Sequence, residues 1–324
     1  MKIAGVILCG GLGSRMGPLT YGVPKPALPL WDRPMVHYLA ERLTAAGAAE
    51  LFVNVHHLPD AMRGTLDRLD TPVPLTVRHE AELTGPAGAL RVFAAELAAF
   101  DIVLVSSADV LLGDDLAPLL RTHRDGGARL TFAVTRVRRA RHFGVLDIDA
   151  EGRVRRAREK PDVPDEELHL VSAGVYCLDP GLLDRIPSRA VYDYARDLAP
   201  AMIAAREPVM AYSLPGYWRD LGTPESLRDA HLDAVSGRIP WLAAGSAPLG
   251  ADCAGPVQVA PTARLAGGTV LRGPVYVGAG ARVGAGTWLE RTVVLPGAEV
   301  MPGSVLVGAL VAGPRTWPAP DEKE

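Results

Sequence analysis

The chain has 324 residues, of which 48% are hydrophobic and 22% charged, and a formal net charge of −3. That length holds two domains or one large domain with an appendage, and so balanced a charge supplies no electrostatic footprint for nucleic acid. Cys9, Cys177 and Cys253 are odd in number and far apart, so neither a disulfide framework nor a zinc-ligand spacing is visible. The first residues have too few apolar positions for a signal peptide and no stretch approaches a membrane span, so a cytoplasmic location is expected.

The first predicted element is a buried strand at residues 3–9, which empties into Gly10-Gly11-Leu12-Gly13-Ser14-Arg15-Met16-Gly17-Pro18-Leu19-Thr20. A glycine-rich loop at a strand's carboxyl end offers backbone N–H groups to phosphate, and a Cβ would block the close approach. Arg15 and Lys25 flank the loop, and Pro24 and Pro26 stiffen the segment carrying the lysine. The dinucleotide fingerprint is excluded because Met16 stands where its last glycine belongs. The Walker pattern is excluded too, since no Gly-Lys-Ser/Thr closes the loop. The local reading is a polyphosphate cradle.

Beyond it, strands and helices alternate: helices over 34–46, 59–69 and 87–98, and strands over 51–55, 74–77 and 102–106. This order predicts βαβ units and a parallel sheet whose ligands lie beyond the strands' carboxyl ends. From residue 130 the texture turns strand-rich (130–137, 145–148, 154–157, 171–178), followed by helices over 193–205 and 224–236. That is read as the same domain with an inserted antiparallel portion for a second substrate. The fold class is therefore α/β, a Rossmann-like domain with a mixed central sheet.

After a loose linker the character changes. Val259, Leu265, Leu271, Val277, Val283, Leu289, Leu295, Met301 and Val307 recur every sixth residue. Nine such hits by chance are expected on the order of once in 10⁴ at ordinary aliphatic frequencies. Positions two before them are mostly small or β-branched, as at Val257, Ala263, Thr269, Val275, Ala281, Thr287 and Val293. This is a hexapeptide repeat of about three coils, too short to bury much alone and expected to pack on the first domain or on another copy. The expected boundaries are 1–238 for the first domain, 239–255 for a linker, 256–312 for the repeat and 313–324 for a flexible tail.

The loop together with Pro24-Lys25-Pro26 resembles the signature of sugar-1-phosphate nucleotidyltransferases, the nucleotide-sugar pyrophosphorylases. Gly216-Tyr-Trp-Arg-Asp-Leu-Gly-Thr-Pro224 is similar to the family's W-x-D-I/L-G-T-P, and Glu159-Lys160-Pro161 to its E-K-P. Leu83-Thr-Gly-Pro-Ala-Gly-Ala-Leu90 resembles the nucleoside loop with Pro86 in place of a threonine, and Phe143-Gly144-Val145 the motif near the sugar. Ser172-Ala-Gly174 resembles N-A/T-G with serine for asparagine, a change bearing on sugar hydroxyl recognition. The hexapeptide family's fold is a left-handed parallel β-helix; its acyltransferase members use a histidine base, and this repeat contains none.

The resemblance implies transfer of a nucleotidyl group from an NTP to a sugar 1-phosphate, giving NDP-sugar and pyrophosphate. It assigns Arg15 and Lys25 to catalysis, Asp109 and Asp220 to Mg²⁺, and Leu8, Gly10, Gly11, Gly13, Ser14, Glu80, Gly85 and Gly88 to the nucleotide. Gly144, Glu159, Lys160, Ser172 and Gly174 are assigned to the sugar phosphate. Within the family the chain looks most like bacterial mannose-1-phosphate guanylyltransferases, with a glucose-1-phosphate thymidylyltransferase or a heptose- or cyclitol-phosphate enzyme as alternatives. A non-catalytic regulatory paralogue is the reading from another class, and the presence of Arg15, Lys25, Asp109, Lys160 and Asp220 argues against it. The expected partners are NTP and sugar 1-phosphate, with no nucleic acid and no membrane, in a homo-oligomer.

Overall fold

A computed structural model describes residues 1–188, 190–242, 252–313 and 315–317. Most of the expected linker (243–251) and tail (314 and 318–324) lies outside the described residues. The chain packs as two compact units, Met1–Leu12 with Val36–Trp218, and Gly13–Met35 with Arg219–Glu324. The glycine-rich segment Gly10–Thr20 is thus divided, with its first three residues in the first unit.

The first unit is built on a nine-stranded mixed sheet. Ile3–Cys9 lies between Ala48–Val55 and Ile102–Ser107, parallel to both, and Leu75–His79 continues the parallel run beyond Ala48–Val55. His169–Leu178 is antiparallel to Ile102–Ser107 and to Leu130–Val137, so the expected mixed sheet is present. The three central strands are buried on both faces, as parallel strands inside α/β folds are: Val6, Ile7, Phe52, Val53, Val103 and Leu104 are all fully buried, whereas Leu75–His79 at the edge is not. Leu8 pairs with Ser107, which brings the loops after residues 9 and 107 out at the same edge.

Two helices differ from expectation. The helix expected over 87–98 is broken into Gly85–Gly88, a 3₁₀ turn Ala89–Phe93, and Ala94–Leu97. Phe93 leaves helical geometry (φ −117°, ψ 10°) where its buried ring meets Phe52 edge-on at 5.4 Å. Over 193–205 a π-turn, Tyr194–Leu198, precedes Ala199–Ala204. Pro200 has no N–H to return to the carbonyl four residues earlier, and a widened turn accommodates that loss.

In the second unit the repeat forms three sheets of parallel strands, as a β-helix requires, one of them ending in the antiparallel strand Arg315–Trp317. Leu271 stacks under Leu289 and Leu306, Val277 under Val294 and Val311, and Val283 under Val300. The coil shortens midway. Val270 pairs with Trp288, an 18-residue step, whereas Tyr276 pairs with Val293, a 17-residue step. The turn Arg291–Thr292 is one residue shorter than the corresponding Gly273–Val275. The six-residue count therefore fails after Leu289: Val294, Val300 and Leu306 pack into the repeat's core where the count places Leu295, Met301 and Val307, Leu295 being buried outside that cluster. Met301 is 72% and Val307 53% exposed, while Val294 is fully buried. Leu289→Ala should cost about 2–5 kcal/mol in chemical denaturation, whereas Met301→Gln should stay within about 0.5 kcal/mol. Equal losses would contradict this register.

Each unit also buries a histidine. His123 meets Thr131 Oγ1 at 2.9 Å, and His231 is held by Leu227 O at 2.9 Å. Burial pushes both down to about 4, opposed by the charges of Asp179 and Asp32 respectively. Because the folded values lie below the ordinary 6.5, the unfolded chain binds more protons. Their contribution is complete above about pH 6.5 and is lost as pH falls towards 4, at up to ~1.4 kcal/mol per pH unit for each ring. Urea midpoints should fall between pH 7 and pH 5, and His123→Asn should flatten the dependence; midpoints constant over that range would refute it.

Candidate active site

At the end of Ile3–Cys9 the backbone of Cys9 donates to Asn54 Oδ1 at 2.9 Å, and Asn54 Nδ2 donates to Glu80 Oε2 at 2.6 Å. Glu80 is nearly fully buried; its Oε1 accepts from the Thr84 N–H at 2.9 Å and from the Thr84 hydroxyl at 2.6 Å. A Cβ on Gly10 would stand 2.9 Å from Asn54 Nδ2 and 3.1 Å from Glu80 Oε2, so only glycine fits beneath this bridge. Gly11 has open space on its Cβ side. Asn54 is absent from the sequence assignments, though a lone amide inside Leu51-Phe-Val-Asn-Val55 is a readable signal.

Gly85 has φ +78°, and a Cβ there would lie 2.8 Å from Tyr192 O, the carbonyl that also accepts from Ala87 N and Gly88 N. A Cβ on Gly88 would meet Thr84 at 2.8 Å. These glycines thus fix the segment Leu83–Leu90 against Tyr192 and Thr84. Glu80 anchors the same loop, its two oxygens accepting three hydrogen bonds from Asn54 and Thr84. Asp109 stands two residues beyond Ile102–Ser107, half-buried at the ligand edge. Its charge adds to burial in pushing the Cys9 thiol up.

The residues assigned to the sugar phosphate converge. Gly144 pairs with Glu159, and its Cβ position lies 3.2 Å from Glu159 Oε2 and 3.8 Å from Ser172 Cβ. Lys160 Nζ reaches Glu159 Oε1 at 3.3 Å. Burial, with the Asp193 charge behind it, holds the Glu159 carboxyl above the usual carboxylate range against the pull of Lys160. Gly174 (φ +75°) sits at the irregularity between Ser172 and Tyr176, where a Cβ would strike Val110 at 2.8 Å. The Ser172 hydroxyl donates to Tyr176 Oη at 3.0 Å, and Trp218 Nε1 donates to Ala173 O at 2.9 Å. Asp193 is a further residue the sequence left unassigned; its carboxylate accepts from Ala195 N at 2.7 Å and Arg196 N at 3.0 Å.

In the second unit Gly13 is left-handed (φ 66°), and Thr20 Oγ1 reaches back to Gly13 O at 3.1 Å and Gly17 O at 3.0 Å. This closes Ser14–Thr20 into a compact turn that presents Arg15. A Cβ on Gly13 would stand 3.1 Å from Lys25 Cβ, which places the second cation's backbone beside the loop. Arg15 Nη1 lies 3.7 Å from Asp220 Oδ2. The guanidinium lies over Gly222, whose missing Cβ would be 2.7 Å from Arg15 Nη2. Asp220 is tied in turn to the following helix, Pro224–Val235: Ser226 donates its hydroxyl to Asp220 O, and Thr223 caps the helix through Ser226 N at 3.2 Å.

Among the described residues no three His, Cys, Asp or Glu side chains form a ready metal cage. Hard carboxylate oxygens such as those of Asp109 and Asp220 suit Mg²⁺, which typically takes one or two carboxylates and completes its shell with phosphate and water.

Residues 4–237 fit the family described as nucleotidyl transferase. The chain belongs to that family. It is 32% identical to a mannose-1-phosphate guanylyltransferase of Mycobacterium tuberculosis over 96% of this chain and 80% of that protein. It is 33% identical to a mannose-1-phosphate guanyltransferase of Yarrowia lipolytica over 95% of this chain and 85% of that one. Among solved structures, a putative glucose-1-phosphate thymidylyltransferase from Bacillus anthracis superposes with a TM-score of 0.62 at 24% identity. That likeness covers 71% of this chain and 94% of that one, and it bears on fold alone. As a family member the chain is a sugar-phosphate nucleotidyltransferase. No helix among the described residues is long and apolar enough to cross a membrane.

Proposed function

We propose that this protein is a mannose-1-phosphate guanylyltransferase, joining GTP and mannose 1-phosphate into GDP-mannose and releasing pyrophosphate. The observation that carries the transfer chemistry is Arg15 laid over Gly222 against Asp220, beside a loop whose glycines leave room for phosphate. The sugar phosphate oxygen attacks the α-phosphorus in line and pyrophosphate leaves, so the protein has to orient two anions and offset their repulsion. Arg15 and Lys25 supply fixed positive charge to the triphosphate. Lys160 holds the sugar phosphate with Gly144, Glu159, Ser172 and Gly174 around the sugar, and Leu8, Gly10, Gly11, Gly13, Ser14, Gly85 and Gly88 shape the nucleotide side. Asp109 and Asp220 would hold Mg²⁺, which when bound offsets phosphate charge at the reacting centre.

The substrate pair is supported by the relatives, which are named for mannose 1-phosphate and guanylyl transfer over nearly the whole chain. The reading extends to a cytoplasmic homo-oligomer, supported by buried unpaired thiols at Cys9 and Cys177 and by exposed apolar residues Met301, Val305 and Val307 on the repeat. The test is pyrophosphate release with Mg²⁺ across GTP, dTTP, UTP, CTP and ATP, each with mannose-, glucose-, galactose- and heptose-1-phosphate. GTP with mannose 1-phosphate should exceed every other pair by about tenfold or more, the discrimination ~1.4 kcal/mol provides. A preference for dTTP with glucose 1-phosphate would replace this reading. Silence throughout, with nucleotide-sugar still bound, would favour a regulatory paralogue.

A further inference from the structure

We propose that the hairpin tip Trp31–Asp32 is a latch through which the β-helix sets the conformation of the phosphate loop, with Asp32, His231 and Tyr276 as positioning residues. The inference rests on the reading of residues 13–27 as the phosphate loop. These residues belong to the same compact unit as helix Pro224–Val235 and the β-helix.

From Lys25 the chain runs through a single 3₁₀ turn, Lys25–Ala27, directly into a short hairpin formed by Pro29–Leu30 and Arg33–Pro34. At its tip Trp31 has φ +56°. A bulky side chain in the left-handed region is strained and persists only where its surroundings hold it. Here they do. The Trp31 N–H donates to His231 Nε2 at 3.0 Å, and its ring centroid lies 4.8 Å from that of Tyr276. The His231 ring lies 4.9 Å from the same tyrosine. Because His231 Nδ1–H donates to Leu227 O, Nε2 is left as the acceptor the tryptophan needs.

Asp32 completes the latch from the other side. Its Oδ1 accepts from the Tyr276 hydroxyl at 2.6 Å and from Ala279 N at 2.9 Å, joining the hairpin to one coil of the repeat. Tyr276 and His231 are fully buried, whereas Asp32 is exposed, so the tyrosine hydroxyl reaches from the core to a carboxylate at the surface. The same helix begins at Thr223, just past Gly222 and Asp220, where Arg15 is held. Arg228 Nη1 also donates to Gly308 O at 2.6 Å, a second bond from this helix to the repeat. The loop is thereby gripped at both cations: Arg15 through Asp220 and the helix start, Lys25 through the hairpin. A repeat that served only as ballast would need apolar contact with the hairpin, whereas two donors aimed at one carboxylate oxygen fix its position.

The test uses the full chain with Tyr276→Phe, Asp32→Ala and Asp32→Asn, and Arg282→Ala as a control on the repeat's exposed surface. Amide exchange of peptides within 13–27 is read first, then kcat and KM. Tyr276→Phe and Asp32→Ala should speed exchange in 13–27 about tenfold and lower kcat about tenfold, with KM for the sugar phosphate unchanged, as expected for loss of orientation. Asp32→Asn keeps an oxygen acceptor for both donors and should restore wild-type values, as should Arg282→Ala. Wild-type exchange in 13–27 for Tyr276→Phe and Asp32→Ala, even with lowered melting temperature, would overturn the latch. Tyr276→Phe removes one hydroxyl only and decides the matter if Asp32→Ala does not fold. Exchange does not depend on turnover, so failure of the nucleotidyl-transfer reading would appear separately, as an inactive wild-type chain.

Discussion

Asp109→Asn and Asp220→Asn should each lower turnover by on the order of 10³-fold or more while leaving the protein folded, the scale on which removal of one preorganised electrostatic contact acts. Each substitution keeps shape and removes one charge, so the loss reports on charge at the reacting centre. Stability should move little at Asp220. Its pairing with Arg15 spans 3.7 Å, and the arginine is 55% exposed, which places such a pair at about 0–1 kcal/mol before screening. Asp109 stands near Cys9, and its removal eases the pressure on that buried thiol. The measurement is kcat with saturating substrates alongside a thermal melt. Full activity in either variant would remove that residue from the metal assignment.

Arg15→Ala should lower kcat by about 10²–10³-fold, and Arg15→Lys should recover only part of it, since an ammonium cannot reproduce a planar fork of donors. Gly222 gives an independent handle on the same contact. A Cβ there would stand 2.7 Å from Arg15 Nη2 and 2.8 Å from Asp220 Oδ2. The long arginine side chain can swing away at little cost, so Gly222→Ala should displace the guanidinium and reduce kcat without unfolding the chain. If the two residues act through one contact, the double variant Arg15→Ala/Gly222→Ala should be little worse than Arg15→Ala alone. Additive losses would mean that Gly222 has another role.

Much of this site was legible because it is local. The phosphate loop combines a buried strand, glycines and two cations within 25 residues, and the structure accounts for Gly10 and Gly13 by near-contacts and a left-handed φ. The contexts of Asp220 and of Glu159-Lys160 are equally compact. What escaped the sequence depends on partners far along the chain: Asn54 bridging to Glu80, Asp193 beside Glu159, and Asp32 receiving Tyr276 from 244 residues away. The repeat carries a different lesson. Six-residue spacing continued to find aliphatic residues at 295, 301 and 307 after the coil had lost one residue, because Val294, Val300 and Leu306 stand immediately beside them. Composition alone cannot tell the two frames apart. Strand register can.

The central claim is nucleotidyl transfer, and the most direct measurement is phosphorus NMR of the purified chain with Mg²⁺, GTP and mannose 1-phosphate. GDP-mannose and pyrophosphate should appear in equal amounts as both substrates disappear, and neither should form with Asp220→Asn. GDP and free phosphate, or unchanged substrates beside bound GDP-mannose, would contradict the account.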